Sequence, residues 1–461
     1  MFTSEHKKHT RSADRCPSEH RTMPLIVLQN IWWALVLIGV MILIHELGHY
    51  WAARFFDVKV ETFSFGFGPR LFGFKKGETD FRVAAIFFGG YVKMTGQEPG
   101  DENADDPRGF LAKPRWQRLI ISFAGPAMNL ILAVGILTGL FMVRFPKIPS
   151  SPSPMISYVM PDSAAAKAGV REGDRIVQIE NTPNPTWEDI EMKEVASAGH
   201  DLSVWISRDG ERKRVTLTPV LDPKTGTGFA GWGEQNEIEV VAAPPDKPAA
   251  KAGIEPGDIM ISVNGQPIRS TPKLLNVINN TGGKPVVLVY SRNGKQNTLT
   301  VTPVMTTMDG SADRWMIGVN LAPRVELVSL SFPQALVESV RYNAKNATLI
   351  YQFLRGILER RMSPKSLEGP IGIARLSGQA AREGPTAYFA LTAMVSLNLA
   401  IFNLLPIPIL DGGVILLLLV EMFMRRDLSL RVKEAVFKLG FVFLMAVVAF
   451  VLYNDISKLA G

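Results

Sequence analysis

Four runs of apolar residues, each near the ~20 needed to cross a bilayer core, dominate this chain of 461 residues. They are Leu28 to Ala53, Leu119 to Val143, Ala387 to Leu410 and Val436 to Tyr453. A segment that crosses hydrocarbon must satisfy its own backbone groups, so each run is expected to be a helix. A shorter run, "GGVILLLLVEMFM" (412–424), is expected to lie at the interface or dip into it. A charged fraction of 20% and a mean hydropathy of +0.12 suit a chain that is part membrane and part aqueous domain. The formal charge of +7 forms no basic stripe, which sets nucleic-acid binding aside. One cysteine, Cys16, rules out an internal disulfide framework and a cysteine zinc knuckle.

Positive charge in short loops sets orientation. Between the first two runs, residues 54–118 carry a series of Arg and Lys from Arg54 to Arg118, and the loop between the last two carries Arg425, Arg426, Arg431 and Lys433. Both loops are therefore expected on the cytoplasmic side, with both chain ends outside. Residues 1–22 are polar, charged and non-periodic, and they would put five basic residues on the wrong side. They are expected to be a disordered or mis-assigned extension, with Met23 the better start.

The remaining large segment, beginning near Arg144 and ending near Thr386, contains a repeat. "AAKAGVREGDRIVQIENTPN" (Ala165 to Asn184) returns as "AAKAGIEPGDIMISVNGQPI" (Ala249 to Ile268), 84 residues later. Each copy predicts a short Ala-rich helix closed by Gly169 or Gly253, a Gly-Asp turn and an alternating strand. Each then predicts a hairpin turning at Asp209-Gly210 or Asn293-Gly294. The pattern resembles PDZ domains of the bacterial kind found beside proteases. Such domains bind extended peptides by strand addition; packing modules or a steric rim with no ligand are the alternative. In the cytoplasmic loop, "ETFSFGFGPRLFGFKKGETDFRVAAIFFGGYVKM" alternates aromatic and small residues, as in short hairpins on a membrane surface.

Inside the first apolar run stands "HELGH". On a helix, His45 and His49 share one face and can share one metal ion, while Glu46 can reach a water on that metal. Zn²⁺ held by neutral imidazoles keeps an open position, and Glu46 is placed to act as general base and then general acid. Ionisable groups at membrane depth are functional candidates by default. Zinc at a catalytic site usually takes a third protein ligand. The outstanding carboxylate is Asp411, which ends the third run in "NLLPIPILDGG". Pro406 and Pro408 stop a helix there, and Gly412 and Gly413 allow close backbone approach.

HELGH, "NLLPIPILDGG" and the tandem repeats between them, with "FSFGFGP", "GGYVKM", "AGPAMN" and "EGPIGIAR", resemble the site-2 protease family of intramembrane metalloproteases, in its bacterial two-PDZ branch. The resemblance covers nearly everything after Met23. It implies one zinc ion held by His45, His49 and Asp411, with Glu46 as the catalytic acid and base. It implies that Asn403 helps hold the substrate strand and that Asn129 gives packing or active-site support. Gly89, Gly90 and Tyr91 of "GGYVKM" are expected to border the substrate. Where many relatives continue the aspartate motif with histidine, this chain has Val414, a difference that touches local hydrogen bonding rather than metal ligation.

The expected architecture is a polytopic α-helical membrane protein of four transmembrane helices. It carries a membrane-associated β-rich cytoplasmic loop and two α+β PDZ domains inserted between the second and third helices. Residues 23–143 form the first membrane part, 144–235 and 236–322 the PDZ-like domains, 323–386 a periplasmic connector with amphipathic helices, and 387–461 the second membrane part. The expected function is hydrolysis of peptide bonds within transmembrane segments of single-span proteins already trimmed by a site-1 protease, such as anti-sigma factors or remnant signal peptides. The expected location is the bacterial inner membrane, with the PDZ-like domains periplasmic and the active site near the cytoplasmic side. A catalytically silent PDZ-bearing scaffold is the alternative.

Overall fold

Glu19–Phe55 form one helix, α1, of 37 residues, longer at 1.5 Å per residue than a bilayer core is thick. The computed structural model describes residues 19–97, 106–143, 145–147, 154–222, 227–306, 313–359 and 369–460. The expected disorder of the N-terminal extension lies outside the described residues up to position 18, and helix α1 already begins at Glu19. Among the described residues, four helical stretches are long and apolar enough to span a membrane: Leu25–Phe55, Arg115–Val143, Pro385–Asn403 and Arg431–Ser457.

After α1 the chain makes a single long hairpin, β1 (Val60–Lys76) and β2 (Thr79–Met94), in place of the several short hairpins the glycine spacing suggests. The glycines bend it instead of ending it. Gly66, Gly68 and Gly73 in β1 and Gly89 in β2 all have positive φ, which only glycine adopts without strain. The bends fold the ribbon on itself. Thr62 to Phe65 pair with Lys93 to Gly90 on one side and face Asp80 to Val83 on the other. Apolar side chains of this ribbon, Val60, Phe63, Val92 and Met94, join Ala53 of α1 and Ile121 in one buried cluster, so the hydrophobic effect seats the sheet on the helix ends.

Helix α2 (Arg115–Val143) follows. The chain then divides into two compact units, one of residues 1–140 with 368–461 and the other of 141–367. The second unit holds the repeat. In the first copy, α3 (Ala164–Lys167) ends before Gly169 at φ +79°, and α4 (Trp187–Ala196) opens with a capping box between Thr186 and Asp189. In the second copy these become α5 (Pro248–Lys251) and α6 (Thr271–Asn279). Both hairpins turn where the sequence places them. Asp209 and Gly210, then Asn293 and Gly294, all have positive φ, as a two-residue turn between twisted strands requires. Each copy has its own core, centred on Ile176, Ile206 and Leu202 in the first and on Val263, Leu288 and Leu274 in the second.

The unit closes with α7 (Phe332–Leu358). In the first unit again, α8 (Pro370–Glu383), α9 (Pro385–Asn403), α10 (Asp411–Met424) and α11 (Leu430–Ala460) complete the chain. Buried Asp455 of α11 accepts hydrogen bonds from the main-chain N–H groups of Gly369, Ile371 and Gly372. It thereby satisfies donors that a helix start leaves orphaned. The third apolar run is shorter as a helix than its hydropathy suggests. It ends at Asn403, seven residues before Leu410, because the turn through Pro406 and Pro408 cannot continue the i→i−4 ladder. Helix α10 then starts at Asp411 itself.

Candidate metal centre

His45 and His49 lie one turn apart on α1, in the part of the helix that faces α2. Their Nε2 atoms are 3.3 Å apart. Asp411 reaches them from the first turn of α10, with Oδ2 at 3.1 Å from His45 Nε2 and Oδ1 at 3.4 Å from His49 Nε2. Ligand atoms bound tetrahedrally at about 2.0–2.1 Å stand roughly 3.3 Å from one another. The three edges, and the hard-to-intermediate N,N,O donor set, therefore fit zinc. Among the described residues this trio is the cluster of His, Cys, Asp or Glu able to hold a metal.

Local sequence explains why the three meet. Gly48, between the histidines, lets α2 come so close that a Cβ there would stand 2.3 Å from the Ala124 carbonyl oxygen. Gly125 does the same from the other side, where a Cβ would stand 2.2 Å from His49 Nε2 and 2.8 Å from His45 Nε2. Gly412 and Gly413 let α10 fold back against the turn before it, since Cβ atoms there would stand 2.3 Å from the carbonyl oxygens of Leu405 and Ile407. The carboxylate of Asp411 also sits at the positive end of the α10 dipole.

The outer ring nitrogens are held as well. His49 Nδ1 donates to the Ile121 carbonyl at 2.8 Å, which leaves Nε2 to face the metal position. Asn129, fully buried on α2, stands 3.2 Å from His45 Nδ1 through Nδ2, and its Oδ1 is buried without a partner. A half-turn of this carboxamide gives Oδ1 the N–H of His45 Nδ1 and frees Nε2 to ligate. Asn129 thus stands behind His45. Its backbone carbonyl accepts from Ser396 Oγ of α9 at 2.8 Å, tying a third helix to the site.

A cavity of about 980 Å³ opens on the trio, and Glu46, Gly89, Gly90, Tyr91 and Asn403 are on its wall. Val414 lines it too. Gly90 passes directly over α1, and a Cβ there would stand 3.2 Å from Glu46 Cγ. Tyr91 stacks on Phe67 with ring centres 5.9 Å apart, and Gly89 makes room for that ring. Four of the sequence-derived residues, His45, Glu46, His49 and Asp411, are brought to one point, and Asn403 with the Gly89–Tyr91 segment frames the space in front of them.

A family model for peptidase family M50 matches residues 33–447. The chain belongs to peptidase family M50. Its relatives include the regulator of sigma-E protease RseP of Salmonella typhimurium, 29% identical over 94% of this chain and all of that protein. Another carries the name "Putative zinc metalloprotease", from Xylella fastidiosa, 32% identical over 93% of this chain and 99% of that one. Among solved structures, the PDZ domain of an SdrC-like protein of Listeria monocytogenes is 21% identical, covering 19% of this chain and 90% of that one at a TM-score of 0.17. As a member of the family the chain is a zinc metalloendopeptidase, and its four apolar helices make it an intramembrane one.

Sequence reasoning missed Gly125 and Ile121. The signal for Gly125 was present: it lies four residues before Asn129 in "AGPAMN", hence on the same helix face. The Ile121 carbonyl carries no side-chain signature, and only the structure gives it.

Proposed function

We propose that one zinc ion per chain is held by His45, His49 and Asp411, and that Glu46 is the acid and base of peptide hydrolysis inside the membrane. The observation that supports this is the convergence of the three ligand atoms, from helices 366 residues apart in sequence (Asp411 against His45), at the end of a cavity that Glu46 also lines. When bound, zinc supplies a Lewis acid that acidifies water and polarises the scissile carbonyl. Glu46 would accept a proton from the attacking water as its oxygen adds to the scissile carbonyl carbon, and would return that proton to the nitrogen as the C–N bond breaks. Asn129 and the Ile121 carbonyl keep the imidazoles oriented, and Asn403 directs its amide at the bound strand.

A substrate helix has its amides bonded internally and must unwind before it can be cut. The Gly90–Met94 edge of the folded hairpin borders the cavity and offers main-chain groups to the unwound strand. The substrates in this reading are single-span proteins already shortened by a site-1 protease, in the manner of anti-sigma factors or remnant signal peptides. The relative named as a regulator of sigma-E supports that class. In this reading the hairpin and the active site face the cytoplasm and the two PDZ-like domains lie in the periplasm of a bacterial inner membrane, an orientation that the Arg- and Lys-rich loops support. There they bind peptides or exclude bulky external domains.

The test is cleavage of a tagged single-span reporter, lacking its external domain, by purified protein and by Glu46→Gln. Cleavage by the native chain alone, stopped by a zinc chelator and restored by zinc, is expected. Equal cleavage by both proteins would remove Glu46 from the reaction.

A further inference from the structure

The cavity that opens on the metal trio continues past it. Its wall also includes Arg118 in the first turn of α2, Glu421 in the last turn of α10 and Lys433 in the first turn of α11. Glu421 is ten residues along α10 from Asp411, about 15 Å at 1.5 Å per residue. The hydrolysis of a peptide bond at the metal therefore has no use for this cluster. Yet Arg118 is 4% exposed and Glu421 1%, and ionisable groups buried at membrane depth are functional candidates.

The two do not satisfy each other. Arg118 Nη1 and Glu421 Oε2 stand 3.9 Å apart, too far for a hydrogen bond. Arg118 Nε and Glu421 Oε2 are both buried with no hydrogen-bond partner among the described residues. Native proteins seldom leave a buried donor and a buried acceptor unpaired. The packing of the helices is served by other atoms. Glu421 Oε1 accepts from the Leu428 N–H at 2.9 Å and from Lys433 Nζ at 2.7 Å, which closes the turn between α10 and α11. Asp427 accepts from Arg118 Nη2 at a long 3.4 Å and from Arg115 Nε at 3.1 Å, so it has a cation without Arg118.

These leftover groups define what would fit between them. An acidic side chain would meet the Glu421 oxygen, and a basic one would meet the Arg118 guanidinium and the Lys433 ammonium. A carboxamide carries one acceptor and one donor on the same carbon and answers both. We infer that Arg118 and Glu421 form a subsite for an asparagine or glutamine side chain of the unwound substrate. At ~3.3 Å per residue of extended strand it would lie roughly four or five residues from the scissile bond, on the side of the Arg425–Arg426 loop. The inference rests on reading the cavity as the substrate channel of the peptidase. An apolar residue there leaves the donor and the acceptor buried and unpaired, which should disfavour it roughly tenfold.

The test uses the full-length protein in detergent and single-span reporters with Gln, Leu, Glu or Lys at successive positions on either side of the cut. Cleavage is read as kcat/KM relative to the Leu reporter. Binding is read by fluorescence anisotropy on Glu46→Gln, alone and combined with each subsite variant. A Gln preference of about tenfold is expected at one position, on one side of the cut, in both readouts. Arg118→Met strands no charge, because Glu421 keeps Lys433 and Asp427 keeps Arg115, and it should bring the Gln-to-Leu ratio close to one. Glu421→Gln puts an N–H donor where Oε2 stands and should move the preference from Gln to Glu. Native zinc content shows that each variant keeps the site assembled. No preference in binding by the Glu46→Gln chain overturns the subsite, whether or not the native chain cuts the reporters. An unchanged ratio in Arg118→Met at native zinc content also overturns it and makes the pair structural, as does a native preference for Glu. Selective binding without cleavage would leave the subsite standing and remove the hydrolysis reading instead.

Discussion

Gly125 of the second membrane helix faces both imidazoles of the first, so that a Cβ in place of its hydrogen would stand 2.2 Å from His49 Nε2 and 2.8 Å from His45 Nε2. Neither ring can retreat freely, because His49 is held by the Ile121 carbonyl and His45 by Asn129. Gly125→Ala is therefore expected to displace the ligands while leaving the helix itself intact, since alanine is the better helix former. Misplacement of about 1 Å at a reacting centre costs on the order of 100-fold in rate. The expected result is a loss of that size in reporter cleavage, with less than the native zinc content by elemental analysis of the purified protein. Full zinc content and full activity would show that α2 shifts to absorb the methyl group.

Asn129 gives a finer test of the same site. Losing the group that orients a ligating imidazole typically weakens metal binding 10–100-fold. Asn129→Ala is expected to do so, and Asn129→Asp to recover part of the loss because its oxygen can still accept from His45 Nδ1–H. Zinc competition against a coloured chelator reads this directly and needs no substrate. An Asp variant no better than Ala would mean that Asn129 only fills space.

The contrast between what the sequence discloses and what it hides follows from the range of the interactions. His45, His49 and Glu46 are neighbours on one helix, so a fixed spacing reveals them. Asp411 is distant in sequence but sits among prolines and glycines that have no reason to interrupt an apolar run unless something must approach there. The hairpin turns of the repeats are legible because Asp-Gly and Asn-Gly demand one backbone geometry. The fold of the cytoplasmic hairpin is not, because its glycines mark bends as readily as ends, and register is set by tertiary packing. The end of the third helix is hidden for a related reason: hydropathy continues through "LLPIPIL" although the backbone ladder stops at Asn403. The Ile121 carbonyl is a main-chain group, which every residue carries, so no pattern of side chains announces its role.

Glu194, buried near the end of α4 in the first repeat, predicts a pH dependence. Burial raises its pKa to about 7, with the nearby Glu191 adding in the same direction, while the bonds from Ala230 and Trp232 pull it down. In the unfolded chain it titrates near 4.5. Between these values the folded repeat keeps a proton that the unfolded chain releases, so stability falls as pH rises from about 4.5 to about 7 and is level above. Exchange-derived opening free energies of the strand Leu202–Arg208, corrected for intrinsic rates, should decline over that window in the native chain. Glu194→Gln should flatten the decline. An unchanged slope in the variant would assign the pH dependence to another group.

Each repeat holds its own ion pair between a buried aspartate and a partly exposed arginine, and the loss of either should be felt in one copy at a time. Asp174 is 1% exposed and takes hydrogen bonds from Arg208 Nε and Nη2, both at 2.7 Å, and from the Arg171 N–H. Arg208 Nη2 also donates to the Gly169 carbonyl, which ties the end of α3 to the hairpin. Asp258, Arg292 and Gly253 repeat the arrangement. Removing the arginine leaves a buried carboxylate without its cation, a change that costs on the order of 1–3 kcal/mol, since the arginine's place is partly open to water. Removing both charges together, as in Asp174→Asn/Arg208→Met, should cost less, because no charge is then stranded. Since each repeat packs its own cluster of apolar side chains, Arg208→Ala should accelerate exchange in Leu202–Arg208 and Glu211–Leu217 while sparing Val286–Arg292 and Lys295–Val301. Arg292→Ala should do the reverse. Equal loosening of both copies by either variant would mean that they unfold as one unit, with the interface between them contributing as much as either core.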